Sequence, residues 1–342
     1  MKTKHSMREE NMQTYRAVHL IDRPQQEITA DVFSIETATI PTPQDGEFLV
    51  KVTHLSLDPA MRGWMSSDEN SYIPPVKLGE VMRASGLGEV VSSKHPDYPE
   101  GTKVLGMTGM QEYLISDGTG LNKIPAEIPA EAVLAVISLP GVTAYHGLYQ
   151  VLQPKPGQTL VVTAAAGSVG SLVGQMAKNL GLRVVGVVGS EEKAQWITQE
   201  LGFNAALNYH DQDFAEQLAA ATPDGIDLFF ENTGGVAQAP IFARMNAHGR
   251  IAVCGLIAEY NKDQPDPGPS WMNIIKRRLS IQGFTMPDHF DRFADYGQAL
   301  GGMLMKGELK YRTHVIHGIE NAPDAIKLLF SGDNKGKLIV EF

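Results

Sequence analysis

The sequence predicts an α/β fold in two parts: a compact antiparallel β-barrel or sandwich, then a doubly wound parallel sheet. Three observations carry this. The chain has 342 residues, which at roughly 150 per domain means about two domains with room for a large core. The pattern changes near Ala130, from short apolar stretches between turns to strand-like runs alternating with helix-like runs. A turn of small residues at 164–167 stands between one such strand and one such helix.

In the first part, apolar stretches recur at 48–53, 84–91, 103–107 and 112–116. Pro43-Gln44-Asp45-Gly46 and Pro99-Glu100-Gly101 supply turns between them, and Pro74-Pro75 marks a loop. In the second part, strands are expected at 159–163, 183–188, 205–207, 226–230, 250–254 and 279–283. These are nearly continuous in apolar residues, as strands covered on both faces are. Residues 168–180 have helical apolar spacing and stop at Gly181; residues 191–201 stop at Gly202. Strands alternating with helices in this way describe a doubly wound sheet. The proline-rich loop 263–269 is expected to wall or cover a site. The tail from His314 reads as strand, short helix, turn, strand, and is expected to return to the first part. The expected division is 1–130 with 312–342, and 131–311.

Composition narrows the function. With 43% hydrophobic and 20% charged residues, disorder is excluded. A net charge of -10 argues against nucleic acid as a partner, because phosphate affinity needs clustered Lys and Arg. No apolar run of about 18 residues is read in the sequence, so no membrane-spanning helix is expected. Residues 1–11 carry Lys2, Lys4 and Arg8 without an apolar segment after them, and read as a mobile leader. Cys254 is the single cysteine. It excludes an internal disulfide and a multi-cysteine zinc site, and suits a reducing cytoplasm.

The main chemical signal is Leu160-Val161-Val162-Thr163-Ala164-Ala165-Ala166-Gly167-Ser168-Val169-Gly170. A buried strand ends in small residues and a helix starts at once. Small residues let backbone approach a pyrophosphate, and the helix N-terminus offers free N–H groups. Against the dinucleotide fingerprint G-x-G-x-x-G, Ala165 replaces the first glycine, while Gly167 and Gly170 hold the other two places. An NAD enzyme usually sets Asp or Glu at the tip of the second strand to hold the ribose diol. Here that strand ends Val187-Val188-Gly189-Ser190, with Lys193 just beyond. Room for a phosphate and a cation to meet it favour NADP over NAD.

Other chemistries lack support. The histidines are scattered, and His314 and His317 read as surface residues. Neither His-Glu-x-x-His nor Gly-x-Ser-x-Gly occurs. No metal site is expected.

At this point the residues resemble the medium-chain dehydrogenase/reductase superfamily. Within it the chain is similar to the zinc-free, NADPH-dependent alkenal and enone reductases, which include prostaglandin and curcumin reductases. The matching stretches are 55–63, 164–174, 185–193, 230–235, 254–261 and 332–337. The resemblance implies a GroES-like barrel completed by the C-terminal tail, and a Rossmann domain. It implies that Ala165, Ala166, Gly167 and Ser168 face the pyrophosphate. It puts Lys193 and Tyr209 at the adenosine phosphate end. Asn232, Cys254, Gly255, Leu256, Ile257, Tyr260 and Phe284 would line the nicotinamide half, and Asn334 would reach the cofactor from the C-terminal loop. Two departures stand out. Lys77-Leu78-Gly79-Glu80 replaces the Gly-His-Glu of zinc relatives, and Ala60 replaces a pocket tyrosine common among zinc-free ones.

The implied reaction is hydride addition to the β-carbon of an α,β-unsaturated ketone or aldehyde. A hydrogen-bond donor then stabilises the enolate oxygen. Tyr260 is the first candidate for that donor, though it serves equally as a cleft wall. Tyr72 is a second candidate, or a lid aromatic. Arg62 either orients a polar group or forms a structural ion pair. Trp64, Trp271 and Met272 suggest an apolar pocket for extended enones. The alternatives are a quinone reductase of the same superfamily and a non-catalytic NADPH sensor. Edge pairing of the last strand, 279–283, would give a homodimer.

Overall fold

The computed structural model describes residues 13–342; the expected leader at 1–11 lies outside the described residues. Its first strands follow the turn-punctuated apolar stretches. β1 (Thr14–Leu20) and β2 (Phe33–Thr39) form an antiparallel ribbon with Leu20 opposite Phe33. β3 (Phe48–Ser56), β4 (Ser85–Ser93), β5 (Lys103–Met107), β6 (Tyr113–Ser116) and β7 (Leu121–Lys123) pair antiparallel, in the order β3-β4-β5-β7, with β6 on β3. A core of Leu20, Leu55, Met61, Met65 and Met82, all shut from water, fills this half.

The second half is a six-stranded parallel sheet. Its strands are β8 (Thr159–Val162), β9 (Arg183–Val188), β10 (Ala205–Asn208), β11 (Ile226–Glu231), β12 (Met245–Val253) and β13 (Ser280–Gly283). Their order is β10-β9-β8-β11-β12-β13. The order reverses between β8 and β11, and ligands bind at the carboxyl ends of strands beside such a reversal. β12 begins earlier than the sequence suggested, because pairing with β11 starts at Met245 and then shifts register. Alternation along the strands divides the core. Leu160 and Val162 pack with Leu172 and Met176 of helix α1 (Ser168–Asn179), whereas Val161 lies beside Val185, Phe229 and Ile251 on the sheet's other face.

Contrary to expectation, one helical run, Ala130–Leu152, is long and apolar enough to cross a membrane. Its Val136, Val142, Leu148 and Leu152 are buried in the core beside α1, so it packs as a core helix here. Helix α2 (Phe293–Met305), not read from the sequence, packs against it.

The chain end returns to the first half. β14 (Thr313–His317) pairs parallel with β15 (Lys337–Glu341), and β15 pairs antiparallel with β3, Ile339 opposite Ser56. This makes a seven-stranded sheet. The β14–β15 pair is parallel rather than antiparallel because short helices between Ile319 and Ser331 carry the chain across.

Candidate active site

One cleft of about 1650 Å³ runs along the carboxyl ends of the parallel strands and under the first half of the chain. That is above the usual range of about 300–1,000 Å³ for a single small ligand, leaving room for a dinucleotide and an acceptor together. The small-residue turn forms its floor. Ala164 takes a left-handed φ of 46°, and α1 follows with Gly167 at its N-cap. Ala166, Gly167, Ser168, Val169 and Gly170 line the cleft. A Cβ on Gly170 would stand 2.4 Å from the Ala164 carbonyl oxygen, so only glycine lets the helix press this close to the turn. Ala165 is fully buried and does not line the cleft. Its methyl group occupies space opened by Gly186 on β9, where a Cβ would meet it at 2.8 Å. That explains how the fingerprint tolerates alanine at its first position.

One end of the cleft lies at the tip of β9. Gly189, Lys193 and Tyr209 line the cleft, with the Tyr209 ring over Gly189. Ser190 is instead the N-cap of the next helical turn, its Oγ accepting from the Lys193 N–H at 3.4 Å. Lys193 Nζ donates to the Gly332 carbonyl. Burial lowers its pKa, opposed by Asp333 and Glu192. Asn334 lines the cleft beside it and donates to the Gly336 carbonyl at 2.9 Å. Glu192 is drawn away by Lys335 at 2.8 Å. Among the described residues no carboxylate therefore lines the cleft at the strand tip, where a ribose diol would want one, and a cation does. The cradle of N–H groups at the turn and the cation at the far end suit a phosphorylated dinucleotide.

The opposite end is knitted by a network the sequence reading missed. Glu231, closing β11, is fully buried. Its Oε1 accepts from Thr163 Oγ1 at 2.6 Å and from the Thr233 N–H at 2.8 Å. Asn232 Nδ2 donates to the Thr163 carbonyl at 2.8 Å. The only hint in the sequence was a charged residue ending an apolar strand. Asn232, Cys254, Gly255, Ile257, Tyr260 and Phe284 line this end, while Leu256 does not. The Cys254 thiol is pushed up to about 12 by burial and then by Glu231.

Tyr260 lies over Gly255, where a Cβ would come within 2.9 Å of its hydroxyl. The hydroxyl oxygen accepts from the Leu256 N–H at 3.2 Å. Burial raises its pKa, with that N–H opposing and Cys254 and Tyr72 adding to the rise. A neutral phenol whose oxygen already accepts keeps its own proton free to donate. Tyr72 also lines the cleft, although 54% exposed. Burial raises its pKa, opposed by the Trp64 N–H and the Arg83 charge.

Arg62 does not line the cleft. Its guanidinium is committed to Asn261 Oδ1 at 3.1 Å and to the carbonyls of Pro24, Gln25 and Gln26. Of the aromatic and sulfur candidates, Trp64 reaches the cleft, but Trp271 and Met272 are exposed outside it. Asp266 of the 263–269 loop forms part of the wall, and Lys262 fastens it at 2.6 Å. His317 is exposed beside Glu341, while His314 is half-buried with an unpartnered Nδ1.

Comparison with known proteins agrees with this geometry. Residues 16–124 match a family model described as the N-terminal domain of oxidoreductase, and residues 168–301 one described as zinc-binding dehydrogenase. Among the described residues no group of three or more His, Cys, Asp or Glu side chains is placed to hold a metal. The chain is 42% identical to the NADPH-dependent curcumin reductase of Escherichia coli (strain K12), over 94% of this chain and 95% of that protein. It is 39% identical to the 2-alkenal reductase (NADP(+)-dependent) of Nicotiana tabacum, over 86% and 87% of the two chains. A crystal structure of CurA in complex with NADPH from Vibrio vulnificus superposes with a TM-score of 0.90 at 41% identity, covering 95% of this chain and 98% of that one. The chain belongs to the medium-chain dehydrogenase/reductase superfamily, within the family of the curcumin, alkenal and prostaglandin reductases.

Proposed function

We propose that this protein reduces the carbon–carbon double bond of α,β-unsaturated ketones and aldehydes with NADPH. The observation that carries the reading is the Tyr260 hydroxyl: neutral, free to donate, and at the strand ends beside Asn232 and Cys254. When bound, NADPH supplies a hydride to the β-carbon. Ala166–Gly170 hold the pyrophosphate, and Lys193 with Tyr209 and Asn334 holds the ribose phosphate. Ala165, Ser190 and Leu256 shape this site from behind rather than touching the ligand. The Tyr260 hydroxyl donates to the carbonyl oxygen as negative charge develops there. A proton from solvent then adds to the α-carbon, and the enolate collapses to the neutral saturated carbonyl compound. Tyr72 closes over the acceptor, and Arg62 holds the loop carrying Asn261.

The test is optical: NADPH and NADH consumption with alkenals, aryl enones and quinones, and product mass. NADPH loss with enones and a product heavier by two hydrogens is expected. Loss with quinones alone moves the chain to quinone reduction, and NADPH binding without any turnover moves it to a sensor.

Three further readings go with it. The chain divides at 130/131 and 311/312, supported by the return of β15 to β3. A homodimer forms through the edge of β13, which among the described residues pairs only with β12, and around which Trp271, Ile275 and Ile281 are exposed; ultracentrifugation reads this directly. A cytoplasmic location fits the lone, protonated Cys254, and cell fractionation checks it.

A further inference from the structure

Glu231 holds a charge that its own neighbours do not answer. It closes β11 and is fully buried. Four contacts reach its carboxylate, and each comes from a neutral donor. Thr163 Oγ1 and the Thr233 N–H donate to Oε1 at 2.6 and 2.8 Å, and Thr233 Oγ1 does so at 3.3 Å. Gln238 Nε2 donates to Oε2 at 3.2 Å. No Lys, Arg or His pairs with it among the described residues. A buried charge is costly unless it is paired. Hydrogen bonding alone does not call for the charge, because a glutamine oxygen accepts from the same donors at Oε1.

The cleft lies just beyond. Asn232 and Cys254 line it. Asn232 follows Glu231 in the chain, and the Cys254 N–H donates to the Glu231 carbonyl at 2.9 Å. The field of the carboxylate reaches this wall: burial, and then Glu231, pushes the Cys254 thiol up to about 12. With the ribose phosphate at Lys193 and the pyrophosphate at the turn, the nicotinamide falls at this end of the cleft. NADPH brings a neutral ring here, and NADP+ a cationic one. We propose that Glu231 sets the charge environment of hydride transfer: its buried carboxylate, behind the Asn232–Cys254 wall, favours the cationic, oxidised ring over the neutral, reduced one. The hydride carries its electron pair from the ring to the β-carbon of the acceptor. Positive charge then develops on the Glu231 side and negative charge on the carbonyl oxygen at Tyr260, so each has its complement. The bound dinucleotide is thereby a stronger reductant than the free one. The inference rests on the proposed enone reduction only for the identity of the acceptor.

The deciding measurement is binding, which needs no turnover. NADP+ and NADPH are titrated calorimetrically into the unaltered protein, Glu231→Gln, Glu231→Asp and Gln238→Lys. Glu231→Gln removes the charge, and Gln238 keeps its partner by turning its amide. The affinity for NADP+ relative to NADPH is expected to fall about 10-fold in this variant, or about 30 mV for a two-electron couple. Glu231→Asp retains the charge and should keep the ratio of the unaltered protein, even where both affinities fall. Gln238 is half-buried and outside the cleft. Gln238→Lys therefore sets a cation against the carboxylate, and should move the ratio in the same direction as Glu231→Gln. Loss of both affinities by one common factor in Glu231→Gln overturns the proposal and leaves Glu231 as a brace for residues 232–235. Should that variant not fold, an unchanged ratio in Gln238→Lys overturns it alone. Absence of NADPH consumption with every enone would count against the proposed reaction, while the affinity ratio still judges Glu231.

Discussion

Lys337 Nζ donates to Asp58 Oδ1 at 2.7 Å across 279 positions of sequence, and both residues are buried. The ammonium also donates to the Leu57 carbonyl at 2.8 Å, and Ser56 Oγ donates to the second Asp58 oxygen. Burial lowers the Lys337 pKa, and Asp58 opposes it. This pair joins the last strand to the segment where Asp58, Pro59 and Ala60 open onto the cleft. Replacing Lys337 by Met leaves Asp58 buried without its cation, at a cost of about 3–5 kcal/mol. Urea unfolding should show that loss. The double variant with Asp58→Asn should recover part of it, because the stranded charge is gone.

A second stability prediction concerns acid. His146 is buried, with Nδ1 3.2 Å from the Tyr296 hydroxyl and its ring stacked on His289 at 4.0 Å. Burial, then the neighbouring His289, pushes its pKa from 6.5 to about 4. Between those values the unfolded chain binds the proton and the folded one does not. Stability is therefore full above the upper value and is lost as pH falls toward the lower. With solvent screening allowed for, the loss is about 1–2 kcal/mol. Urea midpoints at neutral and mildly acidic pH should fall less in His146→Asn than in the unaltered protein.

These two clusters also mark where sequence reading stops. The central parallel strands β8, β9 and β11 were legible because both faces are buried, which leaves nearly continuous apolar residues, and because Gly181 and Gly202 end the helices. The small-residue turn between β8 and α1 was legible because a tight strand-to-helix junction demands small residues in order. Lys337–Asp58 and Thr163–Glu231 were not, since their partners lie far apart in sequence and each looks like an ordinary polar residue alone. Ala165 was misjudged as a contact for a similar reason. The space that buries its methyl group comes from Gly186, on another strand. Arg62 was drawn to the pocket by its neighbours in sequence, while carbonyls of residues 24–26 hold it outside. Trp64 reaches the cleft because the turn after Asp58 points it there, which hydropathy does not specify.

The turn itself gives a direct prediction. Gly170→Ala places a methyl group against the Ala164 carbonyl, a backbone atom that cannot swing aside. Either the helix moves away or the turn opens, and both misalign the N–H groups that we propose face the pyrophosphate. NADPH affinity should fall at least ~10-fold by fluorescence titration, the loss of roughly one charge-assisted hydrogen bond. Gly63→Ala meets nothing within 4 Å and serves as the control.

Cofactor choice should follow Lys193. Its ammonium lies at the strand tip, half-desolvated and anchored to Gly332. Lys193→Ala removes the cation that would meet a ribose phosphate and leaves nothing that an unphosphorylated ribose needs. The KM for NADPH should rise roughly 10-fold with that of NADH little changed, as one exposed charge-assisted contact is worth about 1.5 kcal/mol. An equal rise for both would mean that Lys193 only braces the C-terminal loop.

The sharpest test of the reaction is Tyr260→Phe. The ring stays and the cleft wall is kept, but the hydroxyl that accepts from Leu256 and keeps a free proton is lost. Losing a donor to the developing charge should cost kcat about 10²-fold, while NADPH affinity, which we propose rests mainly on the 166–170 turn and Lys193, changes less than twofold. Activity should also fall at alkaline pH only above the ordinary tyrosine range, because burial raises the phenol's pKa and keeps it protonated there. A variant with unchanged kcat would leave Tyr260 as a wall, and Tyr72, whose hydroxyl faces the same space, would be the next residue to replace.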